Sequence, residues 1–118
     1  MVRQLARGAF EWKWTGLLNG DDGAPLSVEK GAVVFSDKTV QVTGTFGVGG
    51  NVIIEGSNSN ASYKPLNDPQ GTPLSTITDE TVSTILENPA DIKPRVSAGD
   101  GTTDLTVIIV GRAIMQLR

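Results

Sequence analysis

The sequence predicts an all-β protein, an antiparallel β-sandwich or jelly roll with short hairpins and at most one short helix. Its 118 residues include 14 glycines and 6 prolines, and long helix formers are sparse, which favours strands and turns. About eight short apolar runs are separated by polar turns, without the helical segments of βαβ units. The clearest runs alternate apolar and polar residues with a period of two.

The first clear strand carries the large aromatic residues on one face. These residues are Phe10, Trp12 and Trp14, and the residues between them are polar. We expect the aromatic side chains to anchor the core, because the chain has few other large groups. The alternative is an exposed platform on which a sugar or a protein partner stacks.

Residues 38–46 and 50–57 are predicted to form an antiparallel hairpin joined by the GVGG turn. Val40, Val42 and Phe46 share one face of the first strand, which we expect to point into the core. Residues 78–88 are ambiguous: the spacing of Val82, Ile85 and Leu86 favours one or two helical turns, whereas the Thr and Ile content also fits a strand.

The run LTVIIV at residues 105–110 has two apolar faces. Leu105, Val107 and Ile109 form one face, and Ile108 and Val110 lie on the other. A central strand of a sandwich has this pattern, and so does a strand that is covered by a partner subunit.

The glycine-rich segment TFGVGGNVIIEG does not fit a nucleotide site. Val52 stands where the third glycine of G-x-G-x-x-G is required, a strand follows instead of a helix, and Gly-Lys-Ser/Thr is absent. The acidic turns at residues 21–22 and 100–104 do not match a calcium loop. The chain contains neither histidine nor cysteine. We therefore predict no catalytic site, no cofactor and no metal site, and hence no enzyme.

The charge is unevenly distributed along the chain. Residues 1–13 and residues 111–118 each carry a net charge of +2, whereas residues 14–110 carry −7. An acidic body argues against nucleic-acid binding, and no apolar run is long enough for a membrane span or a secretion signal. We divide the chain into an N-terminal arm, residues 1–10, and a single β-sandwich domain, residues 11–118. This charge distribution fits a role in solubility alone, and the alternative is that the basic arm contacts an acidic protein surface.

Residues 38–112 contain four short motifs that are specific when taken together: GTFGVGG, EGSN, DPQG and GDGTTDLTV. With them, this part of the chain resembles small head-associated proteins encoded in the structural gene clusters of tailed phages. One departure lies at residues 59–63, where Ser-Asn-Ala-Ser-Tyr replaces the Asp-Gly-Thr-Asn-Trp typical of those proteins.

The resemblance implies a capsid decoration or cement protein that binds outside the shell at capsomer junctions and stabilises it. The implied partner is the major capsid protein, and the implied location is the exterior of the capsid in the virion. The protein itself would be made in the host cytoplasm. We expect a homo-oligomer, a dimer or a trimer.

The expected partner-binding residues are Arg3, Arg7, Phe10, Trp12, Trp14, Ile108 and Val110. Arg3 and Arg7 would pair with acidic groups of the shell, and the face near Ile108 and Val110 would contribute to the subunit interface. The alternative function is a carbohydrate- or receptor-binding module of a phage tail or host surface, with Trp12, Trp14 or Tyr63 exposed.

Overall fold

The computed structural model describes residues 2–6, 8–26, 35–59 and 61–113, and these residues form eight β-strands. The strands are β1 Val2–Ala6, β2 Ala9–Leu17, β3 Phe35–Thr45, β4 Asn51–Ser57, β5 Lys64–Pro65, β6 Thr81–Ile85, β7 Asp91–Ala98 and β8 Asp104–Ala113. No helix occurs in these ranges, and therefore none that could cross a membrane.

The strands form two antiparallel sheets. The larger sheet has the order β1-β2-β8-β3-β6, and the smaller one has the order β5-β4-β7. This architecture confirms the predicted all-β sandwich. β8 occupies the centre of the larger sheet, between β2 and β3, as one of the two interpretations of its apolar faces predicted.

The core lies between the two sheets and is built by the period-two pattern. Val40 and Val42 of β3 are fully buried, and so are Val52 and Ile54 of β4. Phe46 is partly buried and packs against the same cluster. The expectation that Phe46 and the valines of β3 share one core is therefore confirmed.

The predicted hairpin between residues 38–46 and 50–57 is wrong. β3 pairs with β6 and β8, whereas β4 pairs with β5 and β7, so the GVGG turn carries the chain from one sheet to the other. Both strands bury valines, and they do so from opposite sides of the core. The backbone of β4 is also occupied by more distant partners, since Val52 N–H donates to the Ile77 carbonyl and Ile54 N–H to the Leu74 carbonyl, each at 2.9 Å.

The helical turns favoured for residues 78–88 are replaced by β6. This strand pairs with β3 over five residues, from Lys38 opposite Ile85 to Val42 opposite Thr81. Ile85 is buried, while Val82 and Leu86 are exposed. Hydrogen bonding to the edge of β3 in the larger sheet outweighs the weak local preference for a helical turn.

The first ten residues belong largely to the larger sheet. β1 pairs along β2, with Val2 opposite Trp12 and Arg3 opposite Glu11, and β2 already begins at Ala9. The boundary predicted between residues 10 and 11 therefore falls inside β2. Among the described residues of the segment proposed as an arm, Val2–Ala6 forms the edge strand β1, and residues 9–10 begin β2.

Candidate functional site

The structure places the predicted partner-binding residues on opposite faces of the larger sheet. Phe10, Trp12 and Trp14 face the core, whereas Arg3, Ile108 and Val110 face outward. Arg7 lies outside the described residues. The predicted set is therefore divided, and only its outward-facing members belong to an accessible surface.

The aromatic face of β2 is part of the core. Trp12 is 1% exposed, and the ring of Phe10 lies 6.2 Å from it between centroids. Trp14 is half-buried, and its indole N–H donates to the Ala24 carbonyl at 3.0 Å. The Trp12 ring is thus inaccessible to a ligand, and the rings of Phe10 and Trp14 are partly covered by the core.

The outward face of the larger sheet has apolar residues in the middle and charged residues at one side. Strand register aligns two rows of side chains across it. The first row is Arg3, Glu11, Val110, Thr39 and Thr84. The second row is Lys13, Ile108, Gln41 and Val82. We call these two rows the outer face.

The apolar side chains of the outer face are only partly covered. Ile108 and Val110 on the central strand are half-buried by their neighbours, and Val82 on the edge strand is 65% exposed. Leu86, which follows β6 directly, is also exposed. The outer face therefore combines partly exposed apolar side chains at its centre with charged ones at one side, a chemistry that can serve contact with another protein.

Arg3 forms an ion pair with Glu11 at 3.2 Å at the charged side of the outer face. Their side chains are 60% and 16% exposed, so solvent screens the pair and it contributes at most about 1 kcal/mol. Because this ion pair is weak, Arg3 can leave Glu11 and pair with an acidic group of a partner at little cost in free energy.

The glycine-rich loop and the acidic loop lock together at one end of the sandwich. Asp100 accepts hydrogen bonds from the backbone N–H groups of Val48 and Thr102, each at 2.8 Å, and from the Thr102 hydroxyl at 2.6 Å. The Thr103 hydroxyl donates to the Phe46 carbonyl at 2.8 Å. The hydrogen bonds from Thr102 and from the Val48 amide lower the pKa of Asp100 to about 2.

This acidic turn is therefore a loop clamp within the fold. No group of three or more acidic side chains in the described residues is arranged to hold a metal ion. Two other motifs also hold loops in place. Asp68 of DPQG accepts the N–H groups of Gln70 and Thr72 at 2.9 Å within its own turn, and Asn58 of EGSN accepts the N–H of Ala90, 32 residues further along the chain, at 2.8 Å.

A charged cluster on the smaller sheet was not predicted. The carboxylate of Glu55, whose side chain is 6% exposed, bridges Lys93 Nζ at 3.0 Å and Arg95 Nε at 3.2 Å. Lys93 also contacts Asp22 Oδ1 at 2.6 Å and lies 4.9 Å from the centre of the Tyr63 ring. Desolvation alone would lower the pKa of Lys93, but the hydrogen bonds to Asp22 and Glu55 outweigh it and raise that pKa.

Comparisons with known proteins identify the fold and no family. No protein-family model matches the chain, and neither does any curated protein. Among solved structures, the SPBc2 prophage-derived protein YomS superposes with a TM-score of 0.62 at 14% sequence identity. The match covers 87% of this chain and 93% of that one. The chain thus shares its β-sandwich fold with a prophage-derived protein.

Proposed function

We propose that this protein is a non-enzymatic structural protein of a phage particle, a capsid decoration or cement protein that binds the outside of the shell at capsomer junctions. The observation that carries the proposal is the outer face, where Ile108, Val110 and Val82 are left partly exposed on a rigid sheet. A surface of this kind is stabilised when another protein covers it. The similar fold of a prophage-derived protein supports the phage context.

The most specific sequence motifs support a structural role as well. In three of these motifs a side-chain oxygen accepts a hydrogen bond from a backbone N–H group of a loop or turn. The residues are Asp100, Asp68 and Asn58. These hydrogen bonds hold the loops in one conformation, which suits a protein that reinforces a shell. Many copies on one shell give avidity, so each contact can be weak.

The proposed self-association uses the two rows of the outer face. A two-fold axis running across the strands, between the rows, places Glu11 of one copy opposite Lys13 of the other. The same rotation places Val110 against Ile108 and Thr39 against Gln41. The face is therefore complementary to itself in both charge and apolar contact, as the interface of a symmetric dimer must be.

The proposed shell contact uses the hairpin of β1 and β2 at the edge of the sheet. Arg3 lies on its outward side, and Arg7, which belongs to the same basic segment, is included from the sequence. The partner is the major capsid protein, through acidic groups on its outer surface. The location is the exterior of the virion, and no nucleic acid, membrane or cofactor takes part.

The carbohydrate-binding alternative receives less support. It required Trp12, Trp14 or Tyr63 as an exposed flat platform. Trp12 is buried, Trp14 is half-buried with its N–H bonded internally, and one side of the Tyr63 ring is close to Lys93.

Purified phage heads lacking this protein provide the test. The wild-type protein is expected to saturate the heads at a fixed number of copies per shell protein. Ile108→Glu should break the dimer, and because two linked shell contacts bind more tightly than one, it should reduce occupancy at least tenfold. Val48→Glu makes the same change at a residue 82% exposed on the loop at the end of the sandwich, and should bind like wild type. Absence of wild-type binding, or equal binding of the two variants, would contradict the proposal.

A further inference from the structure

Lys38 is a buried lysine on the core-facing side of β3. Lys38 is 3% exposed, and its side chain lies on the same side of the strand as those of Val40 and Val42. Its ammonium donates a hydrogen bond to Oδ1 of Asn88, which follows β6 and lies 50 residues further along the chain. An amine and a carboxamide are thus in direct contact at the edge of the core.

The environment of Lys38 shifts its amine towards the neutral, nucleophilic form. Burial lowers the pKa of Lys38, while the charges of Asp37 and Glu87 oppose that effect. A lysine becomes a nucleophile when it loses its proton, and desolvation is the usual means by which proteins achieve this. Contact with a carboxamide then supplies an electrophilic carbon within reach.

We propose that Lys38 and Asn88 join in an intramolecular isopeptide bond. The neutral Nζ of Lys38 attacks Cγ of Asn88, a new Nζ–Cγ bond forms, and the Cγ–Nδ2 bond breaks. Nδ2 leaves as ammonia, so the product is a secondary amide and the only mass lost is one ammonia molecule. The step needs neither an oxidant nor a metal.

Glu87 is our candidate for the group that transfers the proton, and it is assigned from its charge and its position next to Asn88. It precedes Asn88 in the chain, and the charges of Glu87 and Lys38 act on each other. Asn67 fixes the Glu87 carboxylate through its backbone N–H at 2.8 Å and its Nδ2 at 2.6 Å. Desolvation would raise the pKa of Glu87, but these hydrogen bonds and Lys38 outweigh it and keep the carboxylate ionised. It can take a proton from the attacking nitrogen and pass it to the departing one.

The residue after Asn88 removes the competing reaction. Asparagine side chains also lose ammonia when the next backbone nitrogen attacks Cγ and forms a succinimide. The next residue is Pro89, whose nitrogen carries no hydrogen and cannot react in this way. Loss of ammonia at Asn88 therefore reports attack by another nucleophile.

The cross-link would tie β3 of the larger sheet to the segment that leads into β7 of the smaller sheet. Such a bond restricts the unfolded chain over a long loop, as a disulfide does, in a protein that has no cysteine. The inference is independent of the proposed function, because it concerns only residues within one chain.

Mass spectrometry of the purified full-length protein, incubated folded at neutral pH and then denatured, provides the test. We expect a mass lower than that of the sequence by one ammonia. Trypsin cuts after Lys38 only if its amine is unmodified, and Lys64 and Lys93 are each followed by proline. Residues 31–95 should therefore remain one peptide lacking ammonia. The full sequence mass with separate peptides 31–38 and 39–95 would overturn the proposal, as would ammonia loss located at Asn19-Gly20.

Variants assign the roles of the residues. Lys38→Arg and Asn88→Ala should restore the mass expected for each sequence. Glu87→Gln should slow cross-linking at least tenfold, whereas Asp37→Asn removes the other charge that raises the pKa of Lys38 and should react at least as fast as wild type. Circular dichroism of each variant checks that it is folded. Equal rates for the Glu87 and Asp37 variants would remove Glu87 from the reaction while leaving the bond itself to be judged on the wild-type mass.

Discussion

The carboxylate of Asp100 accepts a hydrogen bond from the backbone N–H of Val48 at 2.8 Å, although the two residues lie 52 positions apart. This contact joins the loop between β3 and β4 to the loop between β7 and β8. Both loops connect one sheet to the other, so Asp100 fixes how the sheets are held at this end of the sandwich.

Asp100 should make the stability of the protein depend on pH in the acid range. Its folded-state pKa of about 2 lies below the ordinary value of 3.8. The ionised carboxylate therefore stabilises the fold above about pH 4, and this contribution is lost as the pH falls towards 2. Asp100→Asn should lower Tm at neutral pH, and its difference from wild type should shrink at pH 2.

Thermal unfolding followed by circular dichroism at both pH values measures this difference. Asp104→Asn changes an exposed acid four residues further along, and serves as the control with little effect at either pH. A gap between wild type and Asp100→Asn that is unchanged at low pH would contradict the assignment.

Two glycines of the same loop separate backbone strain from side-chain crowding. Gly47 and Gly49 have φ angles of 73° and 74°, so alanine is strained at either position by about 1–2 kcal/mol. A Cβ at Gly47 would also lie 2.2 Å from Oδ1 of Asp100, whereas none of the surrounding atoms lies within 4 Å of a Cβ at Gly49. Gly47→Ala should thus destabilise the fold by clearly more than Gly49→Ala in urea unfolding. Equal losses would show that crowding against Asp100 has no effect.

Most of the fold could be predicted from the sequence, because the alternation of apolar and polar residues shows which side of a strand is buried. Val40, Val42 and Trp12 all lie where a period of two places them. The connection after β3 was not readable, because glycines with positive φ serve a hairpin and a sheet-to-sheet turn equally well. What decides between them is that Leu74 and Ile77 bind the backbone of β4, and no local pattern shows those contacts.

The candidate site was readable only in part for the same reason. The second apolar face of β8 indicated Ile108 and Val110 directly. The bridge from Glu55 to Lys93 and Arg95 depends on the register between β4 and β7, which the sequence does not specify. In the sequence, the cluster is indicated only by Glu55 itself, a charged residue inside the apolar run NVIIEGS.

Exchanging charges on β2 tests the proposed two-fold contact. Glu11→Lys places like charges opposite each other in the dimer, and Lys13→Glu does the same with the opposite sign. Each variant should weaken self-association at least tenfold, whereas the double variant restores opposite charges and should recover it. Sedimentation velocity over a range of concentrations measures the effect. Failure of the double variant to recover association would exclude this axis, and a monomeric wild type would exclude the dimer.

Removing the charge of Glu55 tests the cluster on the smaller sheet. Glu55→Gln leaves Lys93, whose side chain is 12% exposed, with one carboxylate fewer at hydrogen-bonding distance, and it weakens the contact with Arg95. Loss of one partner from a largely buried ion pair costs about 3 kcal/mol. Glu11→Gln makes the same change in the exposed pair with Arg3 and should cost less than about 1 kcal/mol. Urea unfolding at neutral pH compares the two variants. Equal losses for both would mean that solvent screens the Glu55 cluster as effectively as the surface pair, and that burial does not strengthen it.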